Sequence, residues 1–178
     1  AGAGLVAALC GAGNNGRDGI AAARHLAIAG VPVSVILAAG PDRLSGDTAT
    51  NLSVYQRMRQ ECIDASTPRG MLAAQQRLAA AAVVIDALLG TGSSGAPREV
   101  TAELITLANG CAGKRLAVDL PSGLNADSGA VHDPCFVADV TVTLVAPKAG
   151  FLSAEAARVL GRVVVAGIGV PAETGNGS

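Results

Sequence analysis

The protein has 178 residues, a mass of 17.4 kDa and a formal net charge of −1, with 23 glycines and no tryptophan. This length favours a single domain with a sizeable core, and an apolar fraction of 50% is far from the composition of a disordered chain. The balanced charge and the 2% aromatic content disfavour a nucleic acid or an anionic membrane as a partner.

Targeting signals and cysteines indicate a cytoplasmic protein. The longest uncharged apolar stretch is far too short to span a bilayer, and the N-terminus lacks the basic segment with which a signal peptide begins. The four cysteines are widely spaced and form no CxxC pair, so we expect reduced thiols and no structural zinc.

Six short apolar runs without polar alternation are typical of strands that are buried on both faces, as in a parallel sheet. These predicted strands are, in chain order, 5–10, 33–37, 82–85, 115–118, 140–145 and 163–166. Helical patterns lie between or beside them, at 19–29, 48–60, 71–81, 97–109 and 153–160. The alternation predicts an α/β fold in which helices cover both faces of the sheet.

A glycine-rich loop follows the first predicted strand. Gly11, Gly13 and Gly16 form a G-x-G-x-x-G pattern between a strand and a helix, where backbone amides can approach a phosphate. The pattern alone is weak, and Asn14 and Asn15 suit a simple turn equally well. The second strand ends without the acid that holds a ribose in dinucleotide folds, which argues against a conventional NAD(P) dehydrogenase.

Two acids end later strands, at the edge where ligands bind in open parallel sheets. Asp86 precedes a second loop of small residues, and Asp119 lies three residues before Ser122. Each has a structural alternative: Asp86 as a residue that orders its loop, Asp119 as a cap and Ser122 as a turn former. Together, facing a glycine loop, the two acids predict a crevice in which burial and mutual repulsion raise the pKa of one carboxyl group.

The other nucleophiles and bases give no recognisable site. Ser93 and Ser122 do not lie in a G-x-S-x-G elbow, and the first loop lacks the GK[ST] ending of a P-loop. We interpret His25 as a surface or packing residue of the first helix and Lys148 as a solvated loop charge.

Taken in order, these segments resemble the NAD(P)HX epimerase family, also called the YjeF N-terminal domain. The matching segments are CGAGNNGRDG, ARHL, VIDALLGTG, AVDLPSGLNADSG, ADVTVTLVAPKAG and GRVVVAGIGVP. The resemblance implies a Rossmann-like three-layer sandwich with a mostly parallel central sheet. It also implies an isomerase that interconverts the R and S epimers of hydrated NADH and NADPH, called NAD(P)HX, in the repair of these cofactors.

The resemblance further implies which residues form the site. The substrate-binding loops fall on Asn14, Asn15, Gly16, Arg17 and Asp18, and on Gly90, Thr91, Gly92, Ser93, Ser94, Gly95 and Ala96. One K⁺ ion per subunit falls on Asn15, Asp86 and Ser122, and the substrate-contacting acid on Asp119. An amide, a carboxylate and a hydroxyl supply the oxygen ligands that a hard cation prefers. We expect Asp119 to be the general acid/base that moves a proton during epimerisation at C6 of the hydrated ring.

Arg17 stands where the family usually has glycine. It either crowds the loop, if the backbone there needs a positive φ, or makes a bidentate contact with the dinucleotide phosphates. We favour the phosphate contact.

The expected domain spans residues 1–171, and a flexible tail or linker follows at 172–178, where a fused NAD(P)HX dehydratase would continue. A strand is predicted within the first ten residues, so we expect the family's N-terminal helices, which help to form a homodimer, to be missing from this chain. The alternative function is a non-catalytic nucleotide- or protein-binding module. The intact set of Asn15, Asp86 and Asp119 favours the enzyme.

Overall fold

The apolar runs of the sequence form strands of one parallel sheet in the computed structural model, which describes residues 4–167. The strands are β1 (Val6–Cys10), β2 (Val33–Leu37), β3 (Glu61–Asp64), β4 (Val83–Ala87), β5 (Lys114–Val118), β6 (Val140–Leu144) and β7 (Arg162–Ala166). Their order across the sheet is β3-β2-β1-β4-β5-β6-β7, and each neighbouring pair is parallel.

Helices follow most strands, as right-handed crossovers between parallel strands require. They are α1 (Asn14–Ile28), α2 (Gly46–Arg57), α3 (Pro68–Ala80), α4 (Glu99–Asn109) and α5 (Ala157–Leu160), with 3₁₀ turns at Pro41–Arg43 and Ala149–Leu152. Local signals set some of the ends. The Thr67 hydroxyl accepts a hydrogen bond from the Gly70 amide (3.0 Å) at the start of α3, and Gly110 caps the end of α4.

The predicted α/β class and the three layers are confirmed. One core cluster lies between the sheet and the helices α1 and α2, and includes Ile20, Leu52 and Tyr55. A second cluster lies on the opposite face under α3 and α4, and includes Leu78 and Leu104. Strands β1 and β2 are buried along their whole length, as predicted. The expectation was wrong for the run at 163–166, because β7 lies at the edge of the sheet and is largely exposed.

Several predicted boundaries were wrong. The first helix begins at Asn14 rather than at residue 19, α4 begins two residues later than expected, and the helix expected at 153–160 is helical only over Ala157–Leu160. Strand β3 was missed altogether, because Glu61–Asp64 is a four-residue edge strand with an acid at each end. The predicted tail at 172–178, and the end of the domain predicted at 1–171, lie outside the described residues.

All strands point the same way, so their carboxyl ends share one edge of the sheet. Asp86 pairs in register with Leu9 of β1 and Ala117 of β5, which places it at the centre of that edge. Asp119 follows β5 directly. Over residues 4–167, no helix has the length and apolar character needed to cross a membrane.

Candidate active site

The loops at the carboxyl ends of the central strands surround a cavity of about 520 Å³. Its lining comes from the turn after β1, the start of α1, the residues after β2, the loop after β4, the first turn of α4 and the residue after β5. These residues are Gly11, Ala12, Gly13, Asn14, Asn15, Asp18, Ala38, Ala39, Leu88, Leu89, Gly90, Thr91, Gly92, Ser93, Thr101 and Asp119. The crevice predicted at the carboxyl ends of the strands is therefore present, but of the two acids expected to face it only Asp119 lines it, while Asp86 is buried.

The glycines of the first motif have different roles. A Cβ at Gly16 would lie 1.8 Å from the Gly11 carbonyl oxygen, and one at Gly11 would lie 1.9 Å from the Leu88 carbonyl oxygen. A Cβ at Gly13 would meet nothing within 4 Å. Gly11 and Gly16 thus let the chain pack closely on itself, and Gly13 leaves open space beside the cavity that it lines.

Asn14, Asn15, Gly16, Arg17 and Asp18 form the first turn of α1 rather than a loop. Asn14 is exposed at the cavity, and Asn15 is buried below it, with its Nδ2 donating to the Leu89 carbonyl oxygen at 2.7 Å. This bond ties α1 to the loop after β4.

Asp86 and Ser122 are joined by two hydrogen bonds across neighbouring loops. The Ser122 hydroxyl donates to Asp86 Oδ1 (2.7 Å) and its amide to Asp86 Oδ2 (2.7 Å). The Leu88 amide also donates to Asp86 Oδ1 at 3.1 Å, and the Ser122 hydroxyl accepts from the Leu89 amide at 2.9 Å. Asn15, Asp86 and Ser122 therefore converge on Leu88 and Leu89, directly under the cavity.

Two features of this cluster are unusual for a protein interior. Burial raises the pKa of Asp86 to about 6, against the opposing effect of the bonds from Ser122 and Leu88. Asn15 Oδ1 is buried and has no hydrogen-bond partner among the described residues. A buried acceptor without a partner is costly, so it marks a place where a ligand would be stabilised.

Asp119 lines the cavity with a left-handed backbone (φ 67°), which non-glycine residues seldom adopt and which costs about 1–3 kcal/mol. The Lys148 Nζ lies 2.7 Å from Asp119 Oδ1, and the exposed fractions of the two side chains are only 19% and 16%. The interpretation of Lys148 as a solvated loop charge was therefore wrong. The turn after β6 brings it to the same sheet edge as the end of β5.

The second predicted loop is divided between two neighbouring cavities. Gly90, Thr91, Gly92 and Ser93 line the main cavity, whereas Ser94, Gly95 and Ala96 line an adjoining one of about 420 Å³. Leu89, Ser93 and Thr101 line both, so the two cavities are adjacent.

Arg17 does not line the main cavity. Its guanidinium pairs with Asp18 (3.1 Å) and Asp47 (3.6 Å), and it lies at a separate apolar groove between α1 and the β5–β6 half of the sheet. The non-glycine residues with positive φ among residues 4–167 do not include Arg17, so crowding by a left-handed backbone does not arise.

Sequence reasoning missed some of the lining. Ala38 and Ala39 follow β2, and Thr101 lies in the first turn of α4. The strand-end rule contained the signal for the first two, because every strand of a parallel sheet presents its carboxyl end at the same edge. Within the described part of the chain, no group of three or more His, Cys, Asp or Glu side chains could hold a metal ion.

Comparison with known proteins identifies related chains. A family model described as YjeF-related protein N-terminus matches residues 2–150. The chain is 40% identical over 172 residues to the NAD(P)H-hydrate epimerase of Rhodopirellula baltica, and the match covers 96% of this chain and 68% of that protein.

A second relative is the bifunctional NAD(P)H-hydrate repair enzyme Nnr of Moorella thermoacetica, which is 42% identical over 162 residues. That match covers 91% of this chain but only 31% of the relative, so the chain spans about a third of the length of this larger protein. The crystal structure of the yeast protein ynu0 superposes with a TM-score of 0.66 at 23% identity, over 84% of this chain and 60% of that one. The superposition confirms the fold.

Proposed function

The chain belongs to the family of the YjeF-related protein N-terminus, and from this premise we propose that it is an NAD(P)H-hydrate epimerase, an isomerase that interconverts the R and S forms of hydrated NADH and NADPH. The observation that carries the proposal is the position of Asp119, which faces one cavity together with Asn14, Asn15 and Asp18 at the carboxyl ends of the strands. The names of the relatives at 40–42% identity support the same activity.

Asp119 is the proposed general acid/base. Epimerisation needs a proton to be removed from the substrate and returned to it, so one carboxyl group that alternates between its two forms leaves no net change in protons. The carboxyl group is partly buried at the cavity wall, where a bound ring would displace water from it.

The experiment follows the R/S ratio of hydrated NADPH over time. We expect the Asp119→Asn variant to be slower by a factor on the order of 10²–10⁴, because the amide cannot carry the proton. Asp127→Asn, at an exposed acid outside the cavity, is the matched control. An Asp119→Asn variant as fast as the wild type would remove Asp119 from the mechanism, and a wild type no faster than the uncatalysed reaction would leave the binding module as the better account.

Asn15, Asp86 and Ser122 fit a monovalent cation such as K⁺. They offer an amide, a carboxylate and a hydroxyl oxygen close together, and Asn15 Oδ1 is buried without a partner among the described residues. Bound there, K⁺ would supply a positive charge that favours the ionised form of the buried Asp86. The side chains themselves tie the start of α1 to the loops after β4 and β5.

Thermal unfolding tests the cation site without reference to activity. We expect KCl, but not tetramethylammonium chloride at equal ionic strength, to raise the midpoint of unfolding, since only an ion that binds the folded state stabilises it. Asn15→Ala should abolish this difference. Equal midpoints in the two salts for the wild type would contradict the site.

We also propose that Arg17 contacts the substrate, by binding the phosphates of the dinucleotide. It would have to exchange its pairing with Asp18 and Asp47 for the phosphate. Arg17→Gly should weaken binding of the NADPH-derived and NADH-derived substrates; no change in either affinity would refute a phosphate role.

The proposal extends to partners and location. Relatives named bifunctional repair enzymes support an NAD(P)H-hydrate dehydratase as the partner, fused or separate. A homodimer stays a prediction, which light scattering on the purified protein checks. The four cysteines are unpaired, which supports a cytoplasmic location.

A further inference from the structure

We propose that Lys148 is a positioning residue for epimerisation: it holds one oxygen of the Asp119 carboxylate and leaves the other oxygen for the substrate. This inference rests on the proposed function and deepens it. It assigns a role to the Lys148 side chain, which the sequence had indicated to be a solvated loop charge.

The Lys148 ammonium is held on three sides. Besides Asp119 Oδ1 at 2.7 Å, its Nζ donates to the carbonyl oxygens of Leu144 (3.1 Å) and Ala146 (3.3 Å). An ammonium has three donors, so these contacts use all of them. Lysine is normally a mobile surface residue, and one fixed in this way acts as a stationary positive charge.

The contacts of the Asp119 carboxylate all involve one of its two oxygens, Oδ1. Its Oδ1 accepts from Lys148, from the Leu144 amide (3.0 Å) and from the Thr143 hydroxyl (3.3 Å). No described residue donates a hydrogen bond to Oδ2. Because Asp119 lines the cavity and neither Lys148 nor Thr143 does, the free oxygen is the one left to a ligand.

An unusual backbone conformation occurs on both sides of the Asp119–Lys148 ion pair. Asp119 and Val145 both have left-handed backbones, with φ of 67° and 68°. Val145 is β-branched and 53% exposed, so neither its side chain nor its burial explains this conformation. The turn there places the carbonyl oxygens of Leu144 and Ala146 on either side of the same ammonium.

Two further acids lie near Asp119, so a fixed positive charge beside it balances a negatively charged environment. Asp18 lines the same cavity, where it is paired with Arg17, and Asp86 is buried at the end of the adjacent strand. In the described residues, Lys148 is the one basic side chain in an ion pair with Asp119. Lys148 is therefore the fixed cation that offsets these negative charges beside Asp119.

The test compares pH profiles of kcat/KM for purified wild-type protein and variants, measured with hydrated NADPH. In Lys148→Gln and Lys148→Met we expect the acidic limb to move up by roughly one pH unit or more, with kcat near neutral pH down by roughly tenfold or more. KM should change little, because Lys148 does not line the cavity. Lys148→Arg, which keeps the charge, should hold the limb close to its wild-type position.

Lys114→Gln is the matched control, because Lys114 also pairs with an aspartate (Asp139, 3.4 Å) but is 81% exposed and remote from the cavity. Its profile should equal that of the wild type. Two neutral variants guard against misfolding, since methionine preserves the apolar stem, and melting curves identify a variant that has lost its fold. An active wild type whose profile is unchanged by Lys148→Gln or Lys148→Met overturns this inference alone. A wild type without epimerase activity removes the proposed function, and this inference with it.

Discussion

Gly16→Ala should destabilise the protein strongly, because the added methyl group has nowhere to go. Its Cβ would lie 1.8 Å from the Gly11 carbonyl oxygen, 2.6 Å from that carbonyl carbon and 2.9 Å from the Gly11 nitrogen. All three atoms belong to backbone next to β1, an interior strand of the sheet. Even a tight contact of 3.0 Å to the oxygen would require a movement of about 1.2 Å in a well-packed interior. We therefore expect a loss of about 3 kcal/mol, the upper part of the usual range for overpacking.

Thermal unfolding followed by circular dichroism measures this loss. For a chain of this size, about 3 kcal/mol corresponds to a fall in Tm of roughly 6–12 °C. Gly13→Ala is the matched control, since a Cβ there meets nothing within 4 Å and φ is −87°; it should cost less than about 1 kcal/mol. If the two variants melt at the same temperature, close packing is not the reason for glycine at position 16.

Three further predictions concern the core and Asp86, which is buried in it. Asp86 has a pKa raised from 3.8 to about 6, so its contribution to stability is present below about pH 4 and is lost as the pH rises through 6. In potassium-free buffer, urea unfolding should show the wild type losing roughly 2 kcal/mol relative to Asp86→Asn between pH 4 and pH 7; a constant difference would contradict this. Tyr55→Phe should lower the free energy of unfolding by about 1–2 kcal/mol in the same assay, because the hydroxyl donates to the carbonyl oxygens of Val33 (3.0 Å) and Glu61 (3.2 Å). An unchanged stability would contradict a net contribution from these hydrogen bonds. Phe136→Ala should cost about 3–5 kcal/mol, since the ring is fully buried, and a loss below about 1 kcal/mol would show that the core closes around the gap.

The sheet was predictable because its strands are continuous apolar runs. Strands β1 and β2 are buried along their whole length, so composition alone identifies them. The missed strand β3 contains Glu61, which accepts hydrogen bonds from Arg77 at 2.7 Å and from Ser34. Its polar residues are paired by tertiary contacts that no local pattern contains.

The start of α1 was misplaced for a related reason. Gly16 lowers the helix propensity of residues 14–18, and the predicted helix therefore begins only at Gly19. The structure shows that both glycines serve packing, with a Cβ at Gly19 only 2.5 Å from Ala87 Cβ. Tertiary contact therefore overrides local preference here.

The location of the candidate site was predictable from the sequence, but the ion pairs and hydrogen bonds within it were not. The strand-end rule brings Asn15, Asp86 and Asp119 to one edge, and they lie there. The pairing of Asp119 with Lys148 depends on a left-handed turn at Val145, a residue whose type argues against that conformation. Sequence rules rest on the backbone conformations that each residue type prefers. The Asp119–Lys148 pair could not be predicted from them, because it forms where Asp119 and Val145 adopt conformations that their types disfavour.

The position of β1 between β2 and β4 has a consequence for synthesis on the ribosome. Its two partners are β2, which begins 23 residues later, and β4, which begins 73 residues later. At a translation rate of about 5–20 residues per second, roughly 4–15 s pass between the emergence of β1 and that of β4. During this interval one edge of this apolar strand has no partner strand, so β1 stays open to other contacts until β4 is synthesised.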